Sequence, residues 1–328
     1  MTTLVTGGNG WVPSHVVKRL ADRGEAVVSY DLMEPDDLFR ELLGPVIGRV
    51  VWERGDVTNR PRLAEVAARH GVDAVVHMAA ITPRPERERR EPDRIVAVNL
   101  GGTVNALEVA RALPACRRFV HVSSGAVWGE VPGAAVLDEA SPANATGLYG
   151  VTKLAGERVA LRYAELFGLD VVAVRPANVY GPMERVTPGY AGATELREML
   201  RVWAAGEAIK VNSLDGPYLD WTWVGDIAEG IERVWAAEAL PHRLYVLSCG
   251  ETYSIGDILR LWSELGLLPG LRYELVDETE ANAVVAGGPP GPVPSNARLR
   301  ADLGWAPSTP IRDGMRRYLD WIANHGPQ

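Results

Sequence analysis

The sequence is poor in cysteine and lysine and carries no block of basic residues. Only Cys116 and Cys249 occur, far apart and outside any CxxC pattern. A disulfide framework or thiolate zinc cage is therefore not expected, and a reducing cytoplasm is the natural setting. The six histidines form no HExxH-type cluster, so no metal is expected. A net charge of −8 argues against a nucleic-acid partner. No apolar run reaches the roughly 20 residues needed to cross a bilayer. The first strand begins at Thr2, so no signal peptide is expected. What is present is 328 residues, 47% of them hydrophobic, enough for one large core or two coupled ones and suited to small-molecule partners.

The first half alternates short apolar runs with helical stretches, the pattern of a parallel sheet with crossover helices. Strands are expected at 3–6, 26–30, 49–53, 74–77, 118–123 and 170–175. Helices are expected at 11–23, 61–70, 101–112 and 149–167. This reads as a doubly wound parallel α/β sheet of the Rossmann type, with residues 1–177 and about 219–248 forming the dinucleotide-binding domain. A smaller, mostly carboxyl-terminal α/β substrate domain is expected from about 178–218 and 249–328. There the expectations are a helix at 193–205, a strand at 209–212, helices at 255–265 and 311–323, and an irregular Pro/Gly loop at 286–294. The mixed-charge run at 84–92 reads as a solvated face.

Thr6-Gly7-Gly8-Asn9-Gly10-Trp11 lies between a strand and a helix, the context a dinucleotide-binding turn requires. Glycines let the turn close and let a pyrophosphate approach backbone N–H groups at the helix N-terminus. Alone the pattern is weak, and Pro13 stands at the third glycine position. Asp31 strengthens it: an acid 21 residues past Gly10 can accept both ribose hydroxyls of NAD and repel a 2′-phosphate. No arginine follows within residues 32–34, so NAD is expected over NADP. Asp56 and Val57 are placed for the adenine end or, as plainly, for a surface turn.

Tyr149 and Lys153 stand four apart, on one face of a helix. A nearby ammonium favours phenolate, so Lys153 is expected to pull the Tyr149 pKa down and make it a general base. Ser124, with Ser123 as the alternative, ends a strand at the carboxyl edge of the sheet, where its hydroxyl can orient a substrate oxygen. YxxxK alone is cheap. Yet 31 of the 34 basic residues are arginine, so a lysine at 153 points to a chemical need that a guanidinium cannot meet. A serine hydrolase is disfavoured because Val122 occupies the first glycine position of GxSxG. A non-catalytic nucleotide-binding module would not require Tyr149 and Lys153.

Nearly end to end, the sequence resembles the NAD-dependent epimerase/dehydratase family, the extended branch of the short-chain dehydrogenases. The motifs that carry this are TGGNGW (6–11), GDVTN (55–59), VHMAA (76–80), VNLGGTVNALEVA (98–110), VSSGAVWG (122–129), YGVTK (149–153), RPANVYGP (175–182), WVGDIAEGI (223–231) and LGWAPSTPIRDGM (303–315). The resemblance implies catalysis by Ser124, Tyr149 and Lys153. It implies NAD held around Gly7, Gly10, Trp11, Val12, Asp31, Asp56, Val57, Ala79, Ala80 and Asn99, together with Tyr149 and Lys153. Thr82, Ser124, Asn178 and Arg185 are expected to meet the substrate. A homodimer through the helices near Gly101 and Tyr149 is implied as well, and His77 is expected to be structural.

Three departures shape the expected chemistry. Pro13 replaces a glycine, and Trp128 replaces a tyrosine, which would reshape the sugar pocket. Leu219 stands where nucleotide-sugar enzymes carry a diphosphate-clamping arginine. The expectation is therefore NAD-dependent hydride transfer at a secondary hydroxyl of a free sugar, polyol or sugar acid. The alternative is a nucleotide-sugar epimerase with tightly bound NAD, its diphosphate met by Arg298 or Arg300. Arg84 and Arg185 are candidates to face the cleft and meet a carboxylate, or else to lie exposed to solvent, as surface arginines usually do.

Overall fold

The computed structural model describes residues 1–190, 192, 194–285 and 291–327. Seven strands form one sheet: β1 (Thr2–Thr6), β2 (Ala26–Asp31), β3 (Val50–Arg54), β4 (Ala74–His77), β5 (Arg118–Val122), β6 (Val171–Pro176) and β7 (Leu244–Leu247). Their order is β3-β2-β1-β4-β5-β6-β7, and every pairing is parallel. Parallel strands covered on both faces bury both side-chain rows, as β4, β5 and β6 do along their whole length. The order reverses between β1 and β4, and the crevice beyond the carboxyl ends of these two strands is where a ligand fits.

Four helices position the site. α1 (Trp11–Asp22) buries Val16, Val17 and Leu20 against one face of the sheet. α2 (Gly102–Ala112) buries Ala106, Leu107 and Ala110 against the other. α3 (Leu148–Phe167) ends at Gly168, whose φ of 67° suits the left-handed position past a helix. Its first N–H, from Leu148, is received by Glu88 Oε1 at 2.9 Å, a favourable place for an acid. The run at 84–92 is thus not simply a solvated face. Glu88 caps α3, and Arg87 donates to the Pro188 carbonyl at 2.5 Å.

The second half returns to the sheet before it builds its own core. Trp221–Trp223 pairs in parallel with Asn178–Tyr180. The fourth helix, α4 (Val224–Ala236), lies on α1, where Glu232 receives Arg19 at 2.5 Å and Arg23 at 2.8 Å. The chain then supplies β7. A separate apolar cluster joins Leu196, Met199, Ile258, Trp262, Tyr318 and Leu319. The expected helix at 193–205 is described as Glu195–Ala204. Ala193 and residues 286–290 of the expected loop lie outside the described residues. The end of that loop is not irregular, because Val293–Pro294 pairs in parallel with Val136–Leu137. Among the described residues no helix is long and apolar enough to cross a membrane.

Candidate active site

The glycine turn after β1 is shaped by contact with the end of β4. Gly7 has φ +69°, and a Cβ there would lie 2.9 Å from Ala79 Cα, so only glycine fits. The turn closes with Gly10 N–H donating to the Gly7 carbonyl at 2.9 Å. Pro13 falls in the first turn of α1. The Ser14 N–H is the one that returns to the Gly10 carbonyl, at 3.0 Å, so the missing N–H of Pro13 leaves no gap in the helix. Asn9 ties the turn to β2: its N–H donates to Asp31 Oδ2 at 3.0 Å, and its Nδ2 to the Met33 carbonyl at 2.6 Å. Asp31 Oδ1 receives the Met33 N–H at 3.0 Å. Burial raises the Asp31 pKa, while the N–H groups of Met33, Asn9 and Leu32 and the charge of Arg185 oppose that rise.

One cleft contains Gly7, Gly10, Trp11, Val12, Asp31, Asp56, Val57, Ala79, Ala80, Thr82, Ser124, Asn178, Tyr149 and Lys153 on its walls. The glycine cradle, the half-buried carboxylate at the end of β2 and the long crevice between them fit a dinucleotide. Asn99 is not on those walls. It is 2% exposed, and its amide bonds the Ile81 N–H (2.7 Å), the Ile81 carbonyl (3.0 Å) and Thr152 Oγ1 (3.0 Å). The expectation of cofactor contact is corrected to that of a brace between the β4 loop and α3. It leaves from the π-type turn Ala97–Gly101 that precedes α2.

Tyr149 and Lys153 project from the first turns of α3. The hydroxyls of Ser124 and Thr82 lie beside the Tyr149 phenol on the cleft wall and bear on its pKa. Burial raises that pKa, and the two hydroxyls pull it back in part. Lys153 Nζ donates to the Val122 carbonyl at 2.5 Å and is not among the groups acting on Tyr149. The expected lowering of the tyrosine pKa by Lys153 is therefore not found on the protein's own groups. Instead, burial brings Lys153 itself down to about 8. Ser124 caps the short turn Gly125–Val127, its Oγ receiving the Ala126 N–H at 3.1 Å. Ser123 is buried with its Oγ unpartnered.

Beneath the site, His77 bridges Thr6 Oγ1 (2.9 Å) and Thr103 Oγ1 (3.1 Å) and stacks on His121 at 5.9 Å. Burial lowers the His77 pKa to about 3, in keeping with a structural histidine. Trp128 does not line the cleft. It is 2% exposed, donates to the Asp138 carbonyl at 3.1 Å and lies over the Arg175 guanidinium at 5.6 Å. It supports the Ser124 turn from behind rather than reshaping a sugar pocket.

The arginines expected at the cleft are turned elsewhere. Arg185, 7% exposed, pairs with Asp36 at 2.8 Å and donates to the Asn9 and Met183 carbonyls at 2.7 and 3.0 Å. Arg84 pairs with Glu198 at 2.8 Å. Arg298 donates to the Leu244 carbonyl at 3.2 Å and faces Glu139 at 3.4 Å. Tyr190, Glu195 and Trp221 do line the cleft, and the sequence reading missed them. Tyr190 lies in a loop where no periodicity marks a facing side, and Glu195 and Trp221 stand at the first residues of their elements, where periodicity says little about what they face. Tyr190 is held there by Trp11, ring to ring at 5.8 Å, and by Thr82, whose N–H donates to the Gly189 carbonyl at 2.7 Å.

A model of the NAD dependent epimerase/dehydratase family matches residues 3–256. A UDP-glucose 4-epimerase of Lacticaseibacillus casei is 29% identical over 335 residues, spanning 99% of this chain and 98% of that protein. A dTDP-glucose 4,6-dehydratase of Streptomyces griseus is 29% identical over 343 residues, spanning 99% and 95%. The crystal structure of the UDP-glucose 4-epimerase of Thermus thermophilus in complex with NAD superposes with a TM-score of 0.81 at 26% identity, covering 99% of this chain and 100% of that one. The family match begins in β1 and ends beyond β7, and it takes in the glycine turn, Asp31 and the Tyr149–Lys153 pair. On that ground the chain is an enzyme that uses NAD and belongs to the NAD dependent epimerase/dehydratase family.

Proposed function

We propose that the chain is a nucleotide-sugar epimerase that keeps NAD bound while it oxidises a secondary hydroxyl and returns the hydride to the opposite face. The observation that carries this reading is the convergence of the Tyr149, Ser124 and Thr82 hydroxyls in the cleft that also holds the glycine turn. The relatives at the level of whole-chain alignment include UDP-glucose 4-epimerases, which favours this reading over free-sugar oxidation. The dTDP-glucose dehydratases among them are a poorer guide to the reaction, because dehydratases add acidic residues beside the serine position and here Gly125 and Ala126 follow Ser124.

Tyr149 takes the hydroxyl proton as general base and returns it after the hydride has moved. Ser124 and Thr82 hold the substrate oxygen at the phenol. Bound NAD supplies the hydride acceptor, and its positive ring favours the phenolate that burial opposes. Lys153, held by Val122, is placed on the same helix face to bind a ribose hydroxyl and pass the proton on. Gly7, Gly10, Trp11, Val12, Asp31, Asp56, Val57, Ala79 and Ala80 form the NAD surface, and Asn178 the substrate mouth. Val96 and Val151, each 40% exposed beside and on the catalytic helix, support a homodimer through this region; the cytoplasm is the proposed setting.

A second reading has its own observation. Leu219 packs on the carboxyl-terminal apolar cluster, its backbone paired with Tyr253 at 3.1 and 3.0 Å. Among the described residues the cations on the cleft walls are Lys153, Arg87 and Arg94. Arg94 is held by Asp56 at 2.5 Å and Arg87 by Glu91 at 3.2 Å, so the cleft offers a diphosphate little pairing. That favours a free sugar, polyol or sugar acid. The deciding experiment offers UDP-, dTDP- and GDP-sugars and free sugars to the purified enzyme, with products followed by NMR and NADH by absorbance. Interconversion of nucleotide-sugar epimers without NADH accumulation is expected. NADH release on free sugars alone would replace the first reading with the second.

A further inference from the structure

Beside the catalytic cleft, a separate cavity of about 500 Å³ is walled by Arg84, Arg185, Arg197 and Arg201, with Val186 and Glu198. Arg197 and Arg201 are four apart on the helix Glu195–Ala204 and so share a face. Arg84 precedes Pro85–Arg90, and Arg185 follows Asn178–Tyr180. Four guanidiniums brought together from three segments repel one another unless anions offset them.

The protein's own carboxylates do so only in part. Glu198 is shared, receiving Arg84 on one oxygen at 2.8 Å and Arg201 on the other at 3.0 Å. Asp36 holds Arg185 at 2.8 Å. Arg197 is 4% exposed and its Nε has no hydrogen-bond partner. The carboxylate acting on it is Glu184. That group is already engaged by the Tyr190 hydroxyl (3.0 Å), the Thr194 N–H (2.7 Å) and the Thr194 hydroxyl (2.9 Å). Glu198 is thus shared between two of these cations, and the buried Arg197 guanidinium keeps an unmade bond at Nε. Leaving such a group unpaired is costly.

We propose that this cavity binds a phosphate-like oxyanion. Guanidinium forks match the oxygens of phosphate or carboxylate in pairs. Arg185 and Arg197 are already immobilised, so little side-chain entropy remains to be lost on binding. The cavity and the cleft share walls: Thr187, Gly189, Tyr190 and Glu195 face the cleft from the same two segments that carry Arg185, Arg197 and Arg201. Arg185 also ties the cavity wall to the dinucleotide turn through the Asn9 carbonyl at 2.7 Å, and the site does not depend on which sugar is the substrate. Its anion comes either from solution or from a nucleotide substrate whose phosphates extend out of the cleft.

The test is calorimetry on the NAD-saturated full chain in low-chloride buffer, titrating inorganic phosphate into wild type, Arg197→Gln and Arg201→Gln. Binding to wild type is expected, weakened about tenfold or more in each variant by the loss of a charge-assisted bond. Arg201 lies on the surface side of its helix, so Arg201→Gln keeps the test decisive should Arg197→Gln fail to fold. No binding to wild type, or equal binding to Arg201→Gln, would overturn the proposal. Repeating the titration with UDP present separates the two sources. Loss of phosphate binding identifies the substrate's phosphates as the occupant, and retention identifies a free anion.

Discussion

Lys153 reaches back from the second turn of α3 to donate a 2.5 Å hydrogen bond to the carbonyl of Val122, the last residue of β5. Its pKa is brought by burial to about 8 from an ordinary 10.5. Between those values the unfolded chain binds the proton that the folded chain has released, so stability rises with pH across that window. Below about 8 the cost of the buried ammonium is fully present. Lys153→Met removes that titration. Urea unfolding of NAD-stripped protein should therefore show wild type gaining on Lys153→Met by up to ~3 kcal/mol as pH rises from 7 to 10.5. A gap independent of pH would show that Lys153 is not held charged in a dry site.

Tyr149→Phe keeps the ring and removes the proton carrier. Turnover should fall about 10²–10⁴-fold, the usual contribution of general acid–base catalysis, with NAD affinity and unfolding midpoint close to wild type. Near-full turnover in this variant would remove Tyr149 from the chemistry.

The first half of the fold was legible in the sequence because parallel strands buried on both faces leave unbroken apolar runs, as in residues 171–174. The Tyr149–Lys153 pair stood out as a candidate because 31 of the 34 basic residues are arginine, and the structure places both residues on the cleft wall. The cleft placement of Arg84 and Arg185 failed for a physical reason. A guanidinium bonds whatever acceptors the fold brings near, and the partners of Arg185 (Asn9, Asp36) and Arg84 (Glu198) are distant in sequence. Asn99 was assigned the right neighbourhood and the wrong contact, since spacing cannot say on which side of a loop a side chain turns.

Asn99→Ala tests that correction. It strips partners from the buried N–H and carbonyl of Ile81 and from Thr152. Buried groups left unpaired cost about 1–3 kcal/mol each. A loss of roughly 2–4 kcal/mol in unfolding free energy is expected, with turnover reduced because α3 is freed from the β4 loop. The calorimetric NAD dissociation constant should change far less. A large loss of NAD affinity at unchanged stability would return Asn99 to the cofactor surface.

Asp31 is expected to discriminate between dinucleotides by charge, and its setting should make that discrimination depend on pH. Its two oxygens are fixed by the N–H groups of Asn9 and Met33, each at 3.0 Å, so the carboxylate cannot swing away from a 2′-phosphate. A like-charge contact of this kind costs several kcal/mol. Burial raises the Asp31 pKa above the ordinary 3.8, so lowering the pH neutralises it earlier than an exposed carboxyl, and the preference for NAD should narrow on the acid side. Asp31→Asn preserves one acceptor oxygen while removing the charge, and the nearby Arg185, which already acts on Asp31, would then favour a phosphate. The ratio of NADP to NAD dissociation constants should shrink at least about tenfold in Asp31→Asn, and it should lose most of its pH dependence. Calorimetric titration of both dinucleotides at several pH values measures this. A ratio unchanged by the substitution would mean that the ribose is read by backbone geometry and not by the Asp31 charge.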